Sequence, residues 1–123
     1  MKFYVSGKIG YEHFPQQAMQ SLVDAGHEIT LNWTELPNLK PYAENIRESA
    51  LAAVAERSAV VDADVYVLLA HPNGVGMYIE LGMALGLLRP VRIVTTDEYR
   101  SIFFCHPLVK VVDSIDDVIL EFS

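Results

Sequence analysis

Short runs of β-branched and aromatic residues alternate along this chain with longer stretches in which apolar residues recur every three or four positions. The first run, KFYVSG (2–7), ends in Ser-Gly and predicts a buried strand entering a turn. Residues 13–25 place Phe14, Ala18, Leu22 and Ala25 at helical spacing, with Pro15 suited to a first turn and Gly26 to a stop. HEITLNW (27–33) predicts a second short strand, and TELPNLKP (34–41), with two prolines, a loop. A long helix is expected over 42–60, its face formed by Ile46, Ala50, Ala53, Val54 and Val60. VYVLLA (65–70) is an unbroken apolar run, the pattern of a strand covered on both sides, and Asp62 and Asp64 before it read as turn and cap residues. His71-Pro72-Asn73-Gly74 is a turn cluster, followed by a helix from Gly76 to Leu88 that Arg89-Pro90 closes. VRIVTT (91–96) and VKVVD (109–113) predict strands four and five around a loop at 97–108. SIDDVILEF (114–122) predicts a last helix with Ser114 as N-cap and Asp116 and Asp117 in its first turn.

Strands that alternate with helices imply an α/β fold with a mostly parallel sheet and helices on both faces. Five strands joined by right-handed crossovers are most economically arranged in the flavodoxin-like order 2-1-3-4-5, as a single doubly wound domain over residues 1–123. Ligands in such sheets bind beyond the carboxyl ends of the strands, where the strand order switches direction. Here that crevice falls between strands 1 and 3, beside residues 6–11 and 71–76.

Composition narrows the function classes. The chain is 51% hydrophobic and 20% charged, enough to build a core and too apolar for disorder. No apolar run reaches the roughly 18 residues of a membrane helix, and the N-terminus reads as a strand, not a signal peptide. A net charge of −7 with no Lys/Arg cluster argues against nucleic-acid polymers as partners, though not against a small phosphorylated ligand. The single cysteine, Cys105, excludes an internal disulfide and suits a reducing, cytoplasmic setting. The four histidines show no metal-ligand spacing, and no bound cofactor or metal is expected.

Candidate chemistry centres on NGVGMYIELGMALGLL (73–88), which holds four of the seven glycines and one acidic residue, Glu80. Glu80 could point to water and merely favour the helix N-terminus. Alternatively it faces a cavity, where a partly desolvated carboxylate with a tunable pKa serves as nucleophile or base; its apolar neighbours favour this second reading. Gly82 and Gly86, four apart, are expected to let the helix pack closely, since each costs ~1 kcal/mol against alanine. Gly74 and Gly76 would let a ligand approach the helix N-terminus, but GxG alone is a weak signal. The dinucleotide pattern GxGxxG, a P-loop and a GxSxG elbow are all absent. Ser6, Gly7 and Lys8 at the end of strand 1 could hold a phosphate or a sugar hydroxyl, with a plain turn the alternative for Lys8. His71 and Asn73 lie where they could contact ligand. Glu56 fits either a solvated helix face or the crevice, and Tyr4 either the core or the site.

Taken together, these residues resemble the nucleoside 2-deoxyribosyltransferase superfamily, which includes the 2′-deoxynucleoside 5′-phosphate N-hydrolases. FYVSGKIG is similar to the family's strand-1 motif and AERSAVVDADVYVLLA to its helix and third strand. GVGMYIELGMALGL, the most specific of the three, is similar to the segment holding the catalytic glutamate. The resemblance implies that Glu80 attacks the anomeric carbon of a deoxynucleoside, forming a glycosyl-enzyme that a second base or water resolves. It implies that Tyr4 orients that carboxylate and that Glu56, where the family has aspartate, protonates the leaving base. It further implies that Gly7, Lys8, Asn73 and Gly74 hold the substrate, and that a homodimer or larger homo-oligomer completes the site. No serine occupies 73–76, a departure from the 5′-phosphate specialists, for which Lys8 could compensate. Two other classes fit the same residues: a non-catalytic nucleotide-binding module, and a plain interaction domain.

Overall fold

The structure, a computed structural model, describes residues 1–123. Five strands form one parallel sheet: β1 (Lys2–Ser6), β2 (Glu28–Ile29), β3 (Val65–Leu69), β4 (Val91–Val94) and β5 (Val109–Val112). Their order is β2-β1-β3-β4-β5, as the alternating pattern predicts. Helices α1 (His13–Asp24) and α4 (Ile115–Glu121) pack against each other on one face; α2 (Ile46–Asp62) and α3 (Gly76–Gly86) pair on the other. No helix is long and apolar enough to cross a membrane.

The central strands are apolar because both their faces are covered. In β3, Val65, Tyr66, Val67 and Leu68 are all fully buried, as are Phe3, Tyr4 and Val5 in β1. Burying each large side chain contributes about 1.5–3 kcal/mol. Phe3 turns toward α4 and meets the Phe122 ring edge-on at 5.6 Å, while Tyr4 lies opposite Tyr66 across the β1–β3 pair, their rings stacked at 5.9 Å.

Several boundaries depart from the sequence pattern, each for a local reason. β2 pairs over two residues only, not 27–33. Beyond it, Trp33 opens a 3₁₀ turn and donates its indole N–H to the Val5 carbonyl at 2.7 Å, replacing the ladder bond a longer edge strand would supply. The long helix starts at Ile46, after a separate 3₁₀ turn at Tyr42–Glu44, and its expected apolar face does not pack. Ile46 and Val54 are 71% and 65% exposed, Ala50 and Ala53 are exposed too, and Val60 alone of that face is buried. The helix touches core only near its C-terminal end, because Ser49, Ala52 and Ala53 line a cavity in place of a packed layer. In α1 the buried stripe is Pro15, Ala18, Met19 and Leu22; Phe14 and Ala25 sit at its margins and are exposed.

Helix α3 ends two residues before Leu88. Leu88 adopts φ +58°, and the N–H groups of Leu88 and Arg89 return to the carbonyls of Leu85 and Ala84, a Schellman turn with leucine where glycine is usual. The expectation that Gly82 and Gly86 permit close packing is wrong: both are exposed, and a Cβ at either would meet nothing within 4 Å.

Candidate active site

Glu80 is the one charged residue in the core, at 8% exposure. It lies a turn into α3, on the side that meets the sheet with Met77, Leu81 and Ala84. Buried carboxylates require compensating donors. Both come from β1, whose period of two puts residues 4 and 6 on one face. Tyr4 Oη donates to Glu80 Oε2 at 2.7 Å, and Ser6 Oγ donates to Oε1 at 2.9 Å. Tyr4 Oη also lies 3.4 Å from Glu56 Oε1, so one phenol touches both carboxylates. Beneath them Tyr66 donates to the Met77 carbonyl at 2.7 Å, tying the first turn of α3 to the sheet.

Burial sets the electrostatics. Desolvation lifts Glu80 to about 7; the Tyr4 and Ser6 bonds oppose that rise and the nearby Glu56 charge adds to it. Burial likewise raises Glu56, moderated by its bonds to Tyr4 and Glu80. Burial, reinforced by Glu80, drives the Tyr4 hydroxyl far above the ordinary phenol range, so it remains a donor at all working pH values. Two carboxylates this close share protons and titrate as a pair.

Glu56, Ser6, Gly7, Lys8, Asn73, Gly74 and Gly76 join Glu80 in lining a cavity of about 570 Å³. Eight of the ten residues singled out from sequence therefore meet at one place, at the carboxyl ends of β1 and β3 where the strand order switches. Tyr4 is fully buried behind Glu80. Ser6, expected to touch ligand, is 2% exposed and its hydroxyl is committed to Glu80. His71, expected to contact ligand, does not line this cavity: it lines a second one of about 760 Å³ on the α1 face, its ring against Tyr11 at 4.9 Å. That cavity is lined by no carboxylate; Glu56 and Glu80 both line the other one. Gly74 earns its place by close packing, since a Cβ there would fall 2.5 Å from the Met77 side chain; Gly76 faces open space.

The sequence reading missed one wall. Leu36, Leu39, Lys40 and Tyr42, with Trp33, line the cavity opposite Gly74–Gly76. Residues 34–41 read only as a proline-containing loop; their one signal was an excess of large apolar side chains for a solvated loop.

Chemically, the arrangement offers a desolvated carboxylate, fixed at both oxygens, facing a cavity beside a second carboxyl whose pKa burial also raises. That set suits nucleophilic displacement with proton transfer to a leaving group.

Comparison with known proteins agrees at the level of fold. No protein-family description matches the chain, and no curated protein matches it by sequence. Among solved structures, the Clostridium botulinum CMP N-glycosidase BcmB superposes with a TM-score of 0.65 at 9% identity, over 99% of this chain and 98% of that one. A 2-deoxyribosyltransferase from the psychrotolerant bacterium Bacillus psychrosaccharolyticus superposes with a TM-score of 0.75 at 20% identity, over 97% of this chain and 90% of that one. The chain thus has the fold of these two enzymes.

Proposed function

We propose that this protein is an enzyme that cleaves or exchanges the N-glycosidic bond of a nucleoside or nucleotide. The observation that carries the reading is Glu80: a buried carboxylate held by Tyr4 and Ser6 and lining a cavity that Glu56 shares. The fold it shares with an N-glycosidase and a deoxyribosyltransferase supports the same chemistry.

In the mechanism we propose, a Glu80 oxygen bonds to the anomeric carbon as the bond from that carbon to the base nitrogen breaks. The electron pair of the breaking bond leaves with the base, and Glu56 delivers the proton that neutralises it. A glycosyl ester of Glu80 results. Water or a second base then attacks the same carbon, Glu56 takes back the proton, and Glu80 leaves as carboxylate. The productive state therefore has Glu80 ionised and one proton on Glu56. Lys8 and Lys40, the two cationic residues lining the cavity, would attract a phosphate on the sugar. The protein acts in a reducing cytoplasm, which its exposed Cys105 suits. It works as a homodimer: Ile46, Leu51 and Val54 on α2 and Ile79 on α3 are each at least 59% exposed beside the cavity, an apolar surface that a second copy would cover.

Base release and base exchange across ribo- and deoxynucleosides and their monophosphates test the reading. Turnover by the wild-type chain that disappears in Glu80→Ala is expected. No turnover on any of these substrates, or equal rates in the two proteins, would reject it.

A further inference from the structure

Apart from Gly7 and Lys8, which line both cavities, the cavity on the opposite face of the sheet takes no part in this mechanism. It lies at the same sheet edge, between α1 and the start of α4. Its floor is apolar, formed by Leu69 and Val94 at the ends of β3 and β4 with Ile115 of α4. Its rim is aromatic: the Tyr11 and His71 rings lie 4.9 Å apart, tilted by 38°, and Phe14 stands beside them at 59% exposure. A volume of about 760 Å³ lies within the roughly 300–1,000 Å³ of small-molecule sites.

Charge decides what kind of molecule this groove fits. The chain has 16 acidic residues and a net charge of −7, yet none of the residues lining this groove is acidic. Lys8 is its one lysine or arginine, and Lys8 forms no salt bridge. The amide of Gln17 and the hydroxyl of Ser21 supply neutral hydrogen-bonding groups along α1, while Gln20 Nε2 donates to Asp24 Oδ1 at 2.8 Å.

We propose that this groove is a second binding site, for a flat aromatic molecule carrying one anionic group. The ring system lies on the apolar floor against Tyr11, Phe14 and His71, and the anion meets Lys8. The aromatic rim recognises the ring by stacking and edge contacts. An unpaired lysine in a groove free of carboxylates recognises the charge. Gly7 and Lys8 line both cavities, so a ligand here engages the same segment that forms one wall of the Glu80 cavity and draws Lys8 away from it. The site stands independently of the glycosidic chemistry proposed for Glu80.

The probe is 1-anilinonaphthalene-8-sulfonate, titrated into the full chain by fluorescence and calorimetry, with N-phenyl-1-naphthylamine as its uncharged counterpart. Saturable binding of one sulfonate per chain is expected, with the uncharged compound at least about fivefold weaker. Gln17→Glu, a surface change that keeps shape and fold, should weaken the sulfonate by about fivefold or more, and Phe14→Ala should weaken both compounds. Ala53→Glu, in the wall of the Glu80 cavity, should leave the affinity unchanged. Absence of saturable binding, equal affinity for the two compounds, or loss in Ala53→Glu without loss in Gln17→Glu would each overturn the proposal. So would a drop in sedimentation mass in Gln17→Glu, which would make the groove a contact between copies of the chain.

Discussion

The two faces of this sheet meet the same carboxyl edge and solve it differently. On the α2–α3 face, Glu80 and Glu56 are brought into a cavity and one of them is held by two hydroxyls. On the α1–α4 face, the cavity is larger, apolar and free of carboxylates. One strand serves both. β1 sends Tyr4 and Ser6 to the first face, while Phe3 packs against Phe122 of the second. A period of two is enough to build a polar site and an apolar groove back to back, provided that the buried carboxylate on the first face finds partners.

The sharpest way to break this contrast is at Glu80. Glu80→Gln keeps the side chain's shape and removes the nucleophile, so kcat should fall by about 10³-fold or more in a base-release assay. If rates survive, the polar face is not where the chemistry occurs. Next comes Glu56→Gln, expected to lower kcat by about 10²–10⁴-fold, the range for a lost general acid. Because the pair shares its last proton, wild-type kcat/KM should decline above about pH 7, and Glu56→Gln should flatten that decline.

Stability offers a reading independent of turnover. Glu80 is raised from 4.5 to about 7 in the folded chain. Between those values the folded state holds a proton the unfolded state has lost, so stability is full below about pH 4.5 and falls as pH rises toward 7. The loss should be about 1–3 kcal/mol, read from urea midpoints at several pH values. Glu80→Gln should remove most of this slope; an unchanged slope would mean that the carboxylate is not desolvated.

Two smaller effects test what surrounds the site. Ile46→Lys with Val54→Lys should halve the sedimentation mass if a second copy covers α2; an unchanged dimer mass would locate the subunit contact elsewhere. Leu88→Gly removes a left-handed non-glycine residue and should raise the unfolding free energy by about 1 kcal/mol, with the melting temperature as readout. No gain would mean that the Leu88 side chain contributes packing that its 76% exposure hides.

Much of this architecture could be read from local pattern. VYVLLA and KFYVSG are short, β-branched and apolar throughout, so they declared themselves as central strands and fixed the alternation from which the strand order follows. Ser114 with Asp117 at N3 announced the start of α4, where the Asp117 carboxylate accepts from the Ser114 N–H at 3.3 Å. Glu80 stood out because a lone charge in an apolar helix needs a reason. The failures occur where the same local pattern has two tertiary outcomes. Ile46, Ala50, Ala53 and Val54 keep perfect helical spacing, and spacing cannot say whether a helix face meets a sheet, a cavity or open surface. Gly82 and Gly86 carry the same ambiguity.

By itself, then, the sequence determined the α/β class, the parallel order of the strands and the identity of the unusual carboxylate, because each depends on periodicity and residue type over a few positions. Only the tertiary structure decided that Tyr4, Ser6, Glu56 and Glu80, which lie up to 76 positions apart in sequence, share hydrogen bonds. It alone assigned His71 to the second cavity and made residues 33–42 a wall of the first. The physical reason is that side-chain direction at a loop, and the depth at which a helix sits on a sheet, are set by packing among distant elements and leave no periodic trace in the chain.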